Sequence, residues 1–133
     1  MCNNKETNRR ESDSRVSERA LREIYLKAFE ICVKEASPWT IMSSYNLING
    51  QRASESRDLL TGILREEWGF DGAVTTDWYT HGAQFTEIAA GNDIKMGCGM
   101  PEHTLQMLAE GKLSRSAVET SVKRVLRMLL RLA

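Results

Sequence analysis

The chain is poor in the residues that build metal centres and disulfide frameworks. Its 133 residues include three cysteines, Cys2, Cys32 and Cys98, and two histidines, His81 and His103. The cysteines are odd in number, lie far apart and form no CxxC pair, so neither a zinc site nor a disulfide framework is expected. We interpret them as free thiols in a reducing compartment, with Cys32 on the buried face of a helix. No metal and no other cofactor are expected.

The sequence also lacks a surplus of one charge and a long apolar run. Lys and Arg together number 18, and Asp and Glu together number 18, so no long-range field attracts nucleic acid or an anionic membrane. No apolar stretch approaches the roughly 20 residues of a transmembrane helix, and the polar first residues lack the apolar segment of a secretory signal. We therefore expect neither nucleic acid nor a membrane as a partner, and the cytoplasm is the default location.

What the sequence does contain is an alternation of helical and extended patterns. Residues 1–16 are almost entirely polar and predict a surface arm. Ser17 is a candidate N-cap for a first helix, which Ser37-Pro38 ends because the residue before a proline disfavours the α conformation. The apolar stripe of this helix consists of Leu21, Ile24, Tyr25, Ala28, Phe29, Cys32 and Val33.

Three segments have the composition of strands, and helical patterns separate them. Residues 39–45 and 73–78 are β-rich runs, and residues 92–96 are a weaker third candidate. Asn49-Gly50 is a turn signal after the first of these strands. The intervening helices are predicted to begin at Ser56, to span 84–90, and to begin at Pro101 with an end at Gly111.

The last segment has the strongest helical pattern. Ser116 and Glu119 form a capping-box pattern at its start, and Ser114 is the alternative cap. One face is apolar and the other is basic, and the basic side chains are Lys123, Arg124, Arg127 and Arg131. We interpret the basic face as solvated rather than as a nucleic-acid surface, because no interleaved aromatic residues or glycine loops accompany it.

Strands that alternate with helices indicate an α/β protein with parallel strands. Right-handed crossovers allow either a sheet that closes into a barrel or an open sheet with helices on both sides. No linker divides the chain, so residues 1–133 are one domain or part of one, with the 1–16 arm followed by β/α units over 17–133.

In parallel α/β folds, functional residues gather at the carboxyl ends of the strands. Here these ends carry Tyr45 and Asn46, then Asp77 and Trp78. A carboxylate beside two aromatic rings is suited to a sugar, because the rings stack on a pyranose and the carboxylate attacks or stabilises the anomeric carbon. Placement alone leaves other interpretations open, since an aspartate at a strand end often caps a helix, and Tyr45 and Trp78 are more often packing residues.

Several ungapped stretches make the chain resemble a known family, the family 3 glycoside hydrolases that include many β-glucosidases. The resemblance is to the second half of the barrel domain of that family, so it implies a partial TIM-type (β/α)₈ barrel with about three parallel strands and flanking helices. The stretches are Asn3–Arg9, Val16–Leu26, Ile41–Asn46, Ile48–Gly50, Trp68–Gly72, Thr76–Trp78, Ala90–Asp93 and Ser121–Leu126.

The resemblance implies hydrolysis of β-glycosidic bonds with retention of configuration and assigns roles to five residues. Asp77, in Thr76-Asp77-Trp78, corresponds to the nucleophile that forms a glycosyl-enzyme intermediate. Trp78 lines the sugar subsite, Tyr45 orients the nucleophile, Met42 belongs to the same pocket and Arg9 reaches the sugar. The implied partner is a β-linked oligosaccharide or glucoside.

The departures from the family pattern are equally specific. The family's Lys-His pair, which grips sugar hydroxyls, has no counterpart before the Asn3–Arg9 stretch, and no residue matches the general acid/base. Met96-Gly97 stands where the family often has Met-Pro. A complete barrel of this type needs about 250 residues, so we expect two open sheet edges, little activity alone, and association with a complementing barrel fragment or with itself. The alternative hypothesis is a non-catalytic sugar-binding or interaction module, or the product of a truncated gene.

Overall fold

The computed structural model describes residue 2 and residues 6–133. The first part of the arm motif, residues 3–5, lies outside the described residues. The described residues form five short strands: β1 (Asp13–Ser14), β2 (Thr40–Ser43), β3 (Leu47–Ile48), β4 (Gln51–Arg52) and β5 (Ala73–Thr76). Within the described part of the chain they form two small sheets and no closed barrel.

Helices fill the intervals between the strands. The first helix is a succession of four segments, Glu18–Ala20, Leu21–Tyr25, Lys27–Ile31 and Cys32–Ala36, of which the second and fourth have π geometry. A 3₁₀ turn at Ala53–Glu55 precedes the second helix, Asp58–Glu67, which also has π geometry. The third helix (Gln84–Ala90), the fourth helix (Pro101–Ala109) and the terminal helix (Arg115–Leu132) follow. None of the helices in residues 6–133 has the length and apolarity that crossing a bilayer requires.

The main sheet confirms the predicted parallel α/β arrangement. β2 and β5 pair in parallel, with Met42 opposite Thr75 and Ser43 opposite Thr76. The third predicted strand, residues 92–96, is reduced to a single parallel bridge between Thr75 and Ile94. It stops there because the Met96 amide donates to the hydroxyl of Thr76, at 3.0 Å, instead of to a backbone carbonyl.

The second sheet includes part of the arm. Residues 13 and 14 form a strand, whereas the sequence predicted a surface loop. β1 pairs in parallel with β3, and β3 pairs with β4 around a two-residue turn. Asn49 and Gly50 both have positive φ, 52° and 89°, which matches the twist of a two-residue hairpin. The Asn49 side chain donates to the Val16 carbonyl at 2.8 Å and accepts from the Val16 amide at 2.9 Å. Hydrogen bonds to the hairpin therefore hold residues 13–16 of the arm in place.

The apolar core lies on the helix-facing side of β5. Val74 is fully buried there and packs among Leu60, Leu64, Phe70 and Ala90. A second cluster joins the first helix to the hairpin, and Trp68 packs partly against both clusters. Burial of these side chains fixes the helices to one face of the sheet, and each large apolar side chain stabilises the fold by about 1.5–3 kcal/mol.

A buried ion pair closes the amino end of β5. Asp93 Oδ2 accepts from Arg65 Nη2 at 2.8 Å and from the Val74 amide at 2.9 Å. Arg124 of the terminal helix reaches the other carboxylate oxygen at 3.2 Å. Burial lowers the pKa of Arg65 to about 10, although Asp93 opposes the change. Asp93 thus joins the second and terminal helices to the sheet.

The predicted helix starts are confirmed at three places and wrong at one. Ser17 Oγ accepts from the Ala20 amide at 3.2 Å, Ser56 Oγ accepts from the Leu59 amide at 3.3 Å, and Pro101 occupies the first turn of its helix. The terminal helix is capped by Ser114, the alternative, and not by Ser116. The reason is that Glu119 pairs with Arg115 at 2.8 Å, so it does not complete a capping box.

The first helix buries only part of the stripe that a regular α-helix would bury. Cys32, predicted to be buried, is exposed, and Ile24 is 67% exposed. Leu21 and Val33 of the predicted stripe are buried, and so is Leu26, which lies outside it. A π turn explains the shift, because the Leu26 amide donates to the Leu21 carbonyl five residues back and so rotates the stripe away from the 3.6-residue period.

Candidate active site

The parallel register of β2 and β5 brings the two predicted strand ends together. Ser43 and Thr76 are opposite each other as the last residues of their strands. Asp77 follows β5 directly, and Tyr45 follows β2 after one intervening residue. The chain therefore places Tyr45 and Asp77 on the same edge of the sheet, which is where parallel α/β proteins carry their sites.

Asp77 is partly buried, and backbone bonds fix its position. Its Oδ1 accepts from the Trp78 amide at 2.6 Å. Its carbonyl accepts from the Thr76 hydroxyl at 2.8 Å. The carboxylate is thereby held at the strand end with one oxygen bound to its own loop.

Tyr45 is the neighbour of Asp77 on this edge. Its side chain is buried, at 7% exposure, and its hydroxyl donates to the Trp78 carbonyl at 2.6 Å. Burial raises the pKa of Tyr45, and the hydrogen bond and negative charge of Asp77 raise it further. The tyrosine therefore stays protonated and acts as a hydrogen-bond donor against the Asp77 loop.

Two arginines of the arm cover the Tyr45 ring. The guanidinium carbons of Arg9 and Arg10 lie 5.3 Å and 5.4 Å from the ring centroid, which is the distance of a cation–π contact. Arg9 also pairs with Glu6 at 3.2 Å. The arm thus brings positive charge to the edge of the sheet where Asp77 lies.

A cleft of about 450 Å³ joins four of the five sequence-predicted residues: Arg9, Met42, Tyr45 and Asp77 all line it. Trp78 lies outside the lining, 53% exposed, with its ring centroid 5.9 Å from that of Tyr79. Met42 is 58% exposed on the inner face of the sheet. An open inner face beside a carboxylate and an arginine can accommodate a polar ring-shaped ligand of sugar size.

Arg52 joins the arm to the backbone of Tyr45, a contact that sequence reasoning missed. Its Nη1 donates to the carbonyls of Arg10 and Tyr45, at 2.8 Å and 3.0 Å, and its Nη2 pairs with Glu11 at 3.0 Å. Glu11 also pairs with His81 of the Asp77 loop. The sequence predicted only a turn at Asn49-Gly50, and the pairing of the hairpin with the arm shows which groups Arg52 binds.

Gly97 explains one departure from the family pattern. Its φ is +77°, a conformation that proline cannot adopt. A β-carbon at this position would lie 2.7 Å from the Trp78 ring and 3.0 Å from the Tyr79 ring. Glycine in place of proline therefore lets the two aromatic rings pack against this loop.

Two asparagines of the resemblance motifs are buried and hydrogen-bonded. Asn46 is buried and donates to the Ser14 hydroxyl and to the Leu47 carbonyl. Asn92 is also buried and accepts from the Ser43 hydroxyl at 3.1 Å. These amides join the arm, the hairpin and β2 around the cleft. Within residues 6–133 and residue 2, no group of three or more His, Cys, Asp or Glu side chains is arranged to hold a metal ion.

The fold is that of an α/β protein with a polar cleft at the carboxyl ends of its parallel strands. Residues 5–128 match the model of the glycosyl hydrolase family 3 N terminal domain. The chain therefore belongs to glycoside hydrolase family 3, as its motifs predicted.

Curated relatives and solved structures agree with this assignment. Beta-glucosidase A from Butyrivibrio fibrisolvens is 61% identical over 117 residues, which cover 88% of this chain and 14% of that protein. An exo-alpha-(1->6)-L-arabinopyranosidase from Bifidobacterium longum is 52% identical over 95 residues, which cover 71% of this chain and 12% of that protein. Beta-glucosidase 3B from Thermotoga neapolitana, solved in complex with alpha-D-glucose, superposes with a TM-score of 0.89 at 42% identity, covering 92% of this chain and 19% of that one. The chain thus spans less than a fifth of the length of these proteins.

Proposed function

We propose that the chain contributes the nucleophile side of a β-glucosidase-type active site. Asp77 attacks the anomeric carbon of a β-linked sugar and forms a covalent glycosyl-enzyme, which water resolves with retention of configuration. The observation that carries this proposal is the convergence of Asp77, Tyr45 and Arg9 on one cleft at the carboxyl ends of β2 and β5. The beta-glucosidase and arabinopyranosidase names of the relatives support a glycosidase but leave the sugar open.

The other residues of the cleft support the attacking carboxylate. Tyr45 donates to the Trp78 carbonyl and holds the loop that carries Asp77. Arg9, at the mouth of the cleft, donates to sugar hydroxyls. Trp78, exposed beside the cleft, offers the face of its ring to the sugar, and Met42 contributes apolar surface on the inner face of the sheet.

We infer that the general acid/base comes from outside these residues. The titratable side chains of His81 and Glu87, which follow Asp77 in the chain, are engaged elsewhere: His81 is paired with Glu11, and Glu87 is buried in an ion pair with Lys95. A site without an acid loses roughly 10²–10⁴ in rate for a poor leaving group. Residues 1–133 are accordingly part of one domain, completed by further barrel elements, and have low activity alone.

The exposed apolar faces support completion by another segment or copy. Leu126 and Leu129 on the terminal helix are about half exposed, as is Met42 on the inner face of β2. Side chains of this type are normally covered in a closed barrel, where each helix packs against its neighbours. The non-catalytic alternative, a sugar-binding or interaction module, retains the same cleft and differs in having no covalent step.

Hydrolysis of an activated substrate tests the proposal. A dinitrophenyl β-glucoside needs no protonation of its leaving group, so it reports attack by the nucleophile even where the acid is missing. We expect the wild-type chain to hydrolyse it faster than a methyl β-glucoside, and Asp77→Asn to remove that activity. Asp58→Asn, at an exposed position of the second helix, is the matched control. Activity that survives Asp77→Asn would exclude Asp77 as the nucleophile.

A further inference from the structure

A second buried ion pair lies beside the loop that carries Asp77. Lys95 Nζ and Glu87 Oε2 are 2.9 Å apart, and both side chains are 1% exposed. The hydroxyls of Ser54 and Thr80 each donate to Glu87 Oε1 at 2.9 Å. Neither charged residue lines the cleft, so contact with a substrate does not account for the burial of these two charges.

The Lys95 ammonium binds the backbone of the Asp77 loop. It donates to the Gly82 carbonyl at 2.8 Å, and to the carbonyl and the hydroxyl of Thr80 at 3.2 Å each. Both residues belong to the segment that leads from β5 to the third helix. Gly82 fits only because it has no side chain, since a β-carbon there would lie 2.3 Å from Glu87 Oε1.

The residues on either side of Lys95 hold the other end of the same loop. The Ile94 carbonyl accepts from the Thr76 amide at 2.9 Å, and the Met96 carbonyl accepts from the Tyr79 amide at 3.1 Å. Asp77 therefore lies between two backbone bonds to the 94–96 segment. The Lys95 side chain continues this series of contacts up to Gly82.

We propose that Lys95 and Glu87 are a positioning pair that fixes the loop from Asp77 to Gly82. The proposal deepens the proposed function in one respect, since the groups held in place are the nucleophile Asp77 and the exposed ring of Trp78. Removing the ammonium leaves Glu87 Oε2 and the carbonyls of Thr80 and Gly82 buried without the cation that binds them. The loop then moves away from the third helix, because water can reach those groups only after this movement.

The test compares Lys95→Met with Arg65→Met in the 133-residue chain. Arg65 is a matched control because it also pairs with a buried carboxylate and donates to carbonyls, those of Gly72 and Gly91, but at the amino end of β5. Nuclear magnetic resonance reports each case through the three indole signals, of Trp39, Trp68 and Trp78, and through hydrogen exchange at the Tyr79 amide.

We expect Lys95→Met to shift or broaden the Trp78 indole signal and to accelerate exchange at the Tyr79 amide roughly tenfold or more. Arg65→Met is expected to lower the melting temperature by at least as much while leaving the Trp78 signal unchanged. If Lys95→Met does not fold, Glu87→Gln keeps the shape of the pair and serves as the second variant, with the same shift expected. An unchanged Trp78 signal in a folded Lys95→Met or Glu87→Gln chain, or equal changes in Arg65→Met, would overturn the proposal.

These readouts follow loop order rather than turnover, so they separate the two proposals. If Asp77→Asn leaves hydrolysis unchanged while Lys95→Met disorders the loop, the positioning pair is supported and the assignment of Asp77 as the nucleophile is rejected. If Asp77→Asn abolishes hydrolysis while Lys95→Met leaves the loop unchanged, the nucleophile is supported and the positioning pair is rejected.

Discussion

The hydroxyl of Tyr45 donates to the backbone carbonyl of Trp78 at 2.6 Å. This bond joins the loop after β2 to the loop after β5, and so connects the two strand ends on which the proposed site depends. Tyr45 is buried beneath two arginines of the arm. Tyr45 therefore links the arm, through its ring, to the residue next to the proposed nucleophile, through its hydroxyl.

Tyr45→Phe tests this link by removing the hydroxyl while keeping the ring. We expect a loss of about 1 kcal/mol in the free energy of unfolding, because the Trp78 carbonyl loses this donor. We also expect faster hydrogen exchange in the Asp77 loop. Tyr25→Phe, at a half-exposed position of the first helix, is the control. Urea unfolding followed by circular dichroism measures the stability of both variants, and equal losses in the two would contradict the assignment.

The same tyrosine predicts a change of stability at alkaline pH. The pKa of Tyr45 is raised in the folded chain, mainly by burial and then by Asp77, so the folded state binds this proton more tightly than the unfolded state. Its contribution is complete below the ordinary tyrosine pKa of about 10 and is lost as the pH rises through the folded value. Absorbance of ionised tyrosine, measured during a titration, should show a late component that disappears in Tyr45→Phe and persists in Tyr25→Phe. A late component that survives Tyr45→Phe would assign it to another residue.

The hairpin that carries Arg52 depends on glycine at its turn. Gly50 has a φ of +89°, so Gly50→Ala should cost about 1–2 kcal/mol through backbone strain. Gly62 lies inside the second helix, where a β-carbon would have no neighbouring atom within 4 Å, so Gly62→Ala should instead stabilise the chain by about 0.5–1 kcal/mol. Thermal unfolding of the two variants should therefore give shifts of opposite sign. A melting temperature of Gly50→Ala at or above that of the wild-type chain would mean that a side chain does not strain the turn.

The strands of the main sheet could be predicted from the sequence because their apolar runs are bounded by Pro38 and by Gly72, which restrict the chain locally. The strand at Asp13–Ser14 could not be predicted, since a two-residue strand within a polar arm forms only through pairing with a distant hairpin. The π turns of the first helix were equally hidden, because they change which side of a helix is buried without changing its composition.

The candidate site likewise contains residues that the sequence predicts and residues that it does not. Asp77 and Tyr45 could be found because they lie at strand ends within recognisable motifs, and the register of β2 and β5 brings them together. Lys95 and Glu87 gave no signal, since long charged side chains are normally solvated and only the three-dimensional packing shows that both are buried. The contacts of Arg52 could not be predicted for the same reason.

The exposed apolar face of the terminal helix predicts association. Leu126→Glu places a charge on that face, and Thr120→Glu places one at an exposed polar position of the same helix. We expect the wild-type chain and Thr120→Glu to associate as the concentration rises. Leu126→Glu should associate less, because the contact through the apolar face would bury a charge. Sedimentation equilibrium measures the association of the three chains. A wild-type chain that stays monomeric at every concentration would contradict the proposed completion of the fold.

Covalent trapping of Asp77 tests the central claim most directly. A 2-deoxy-2-fluoro β-glucoside with a dinitrophenyl leaving group needs no acid, and the fluorine slows hydrolysis of the glycosyl-enzyme, so the intermediate accumulates. After prolonged incubation, mass spectrometry of the digested wild-type chain should show one fluoroglucosyl group on the peptide that contains Asp77, and none in Asp77→Asn. Added mass on a different residue, the same mass in Asp77→Asn, or no added mass in the wild-type chain would contradict the assignment of Asp77 as the nucleophile.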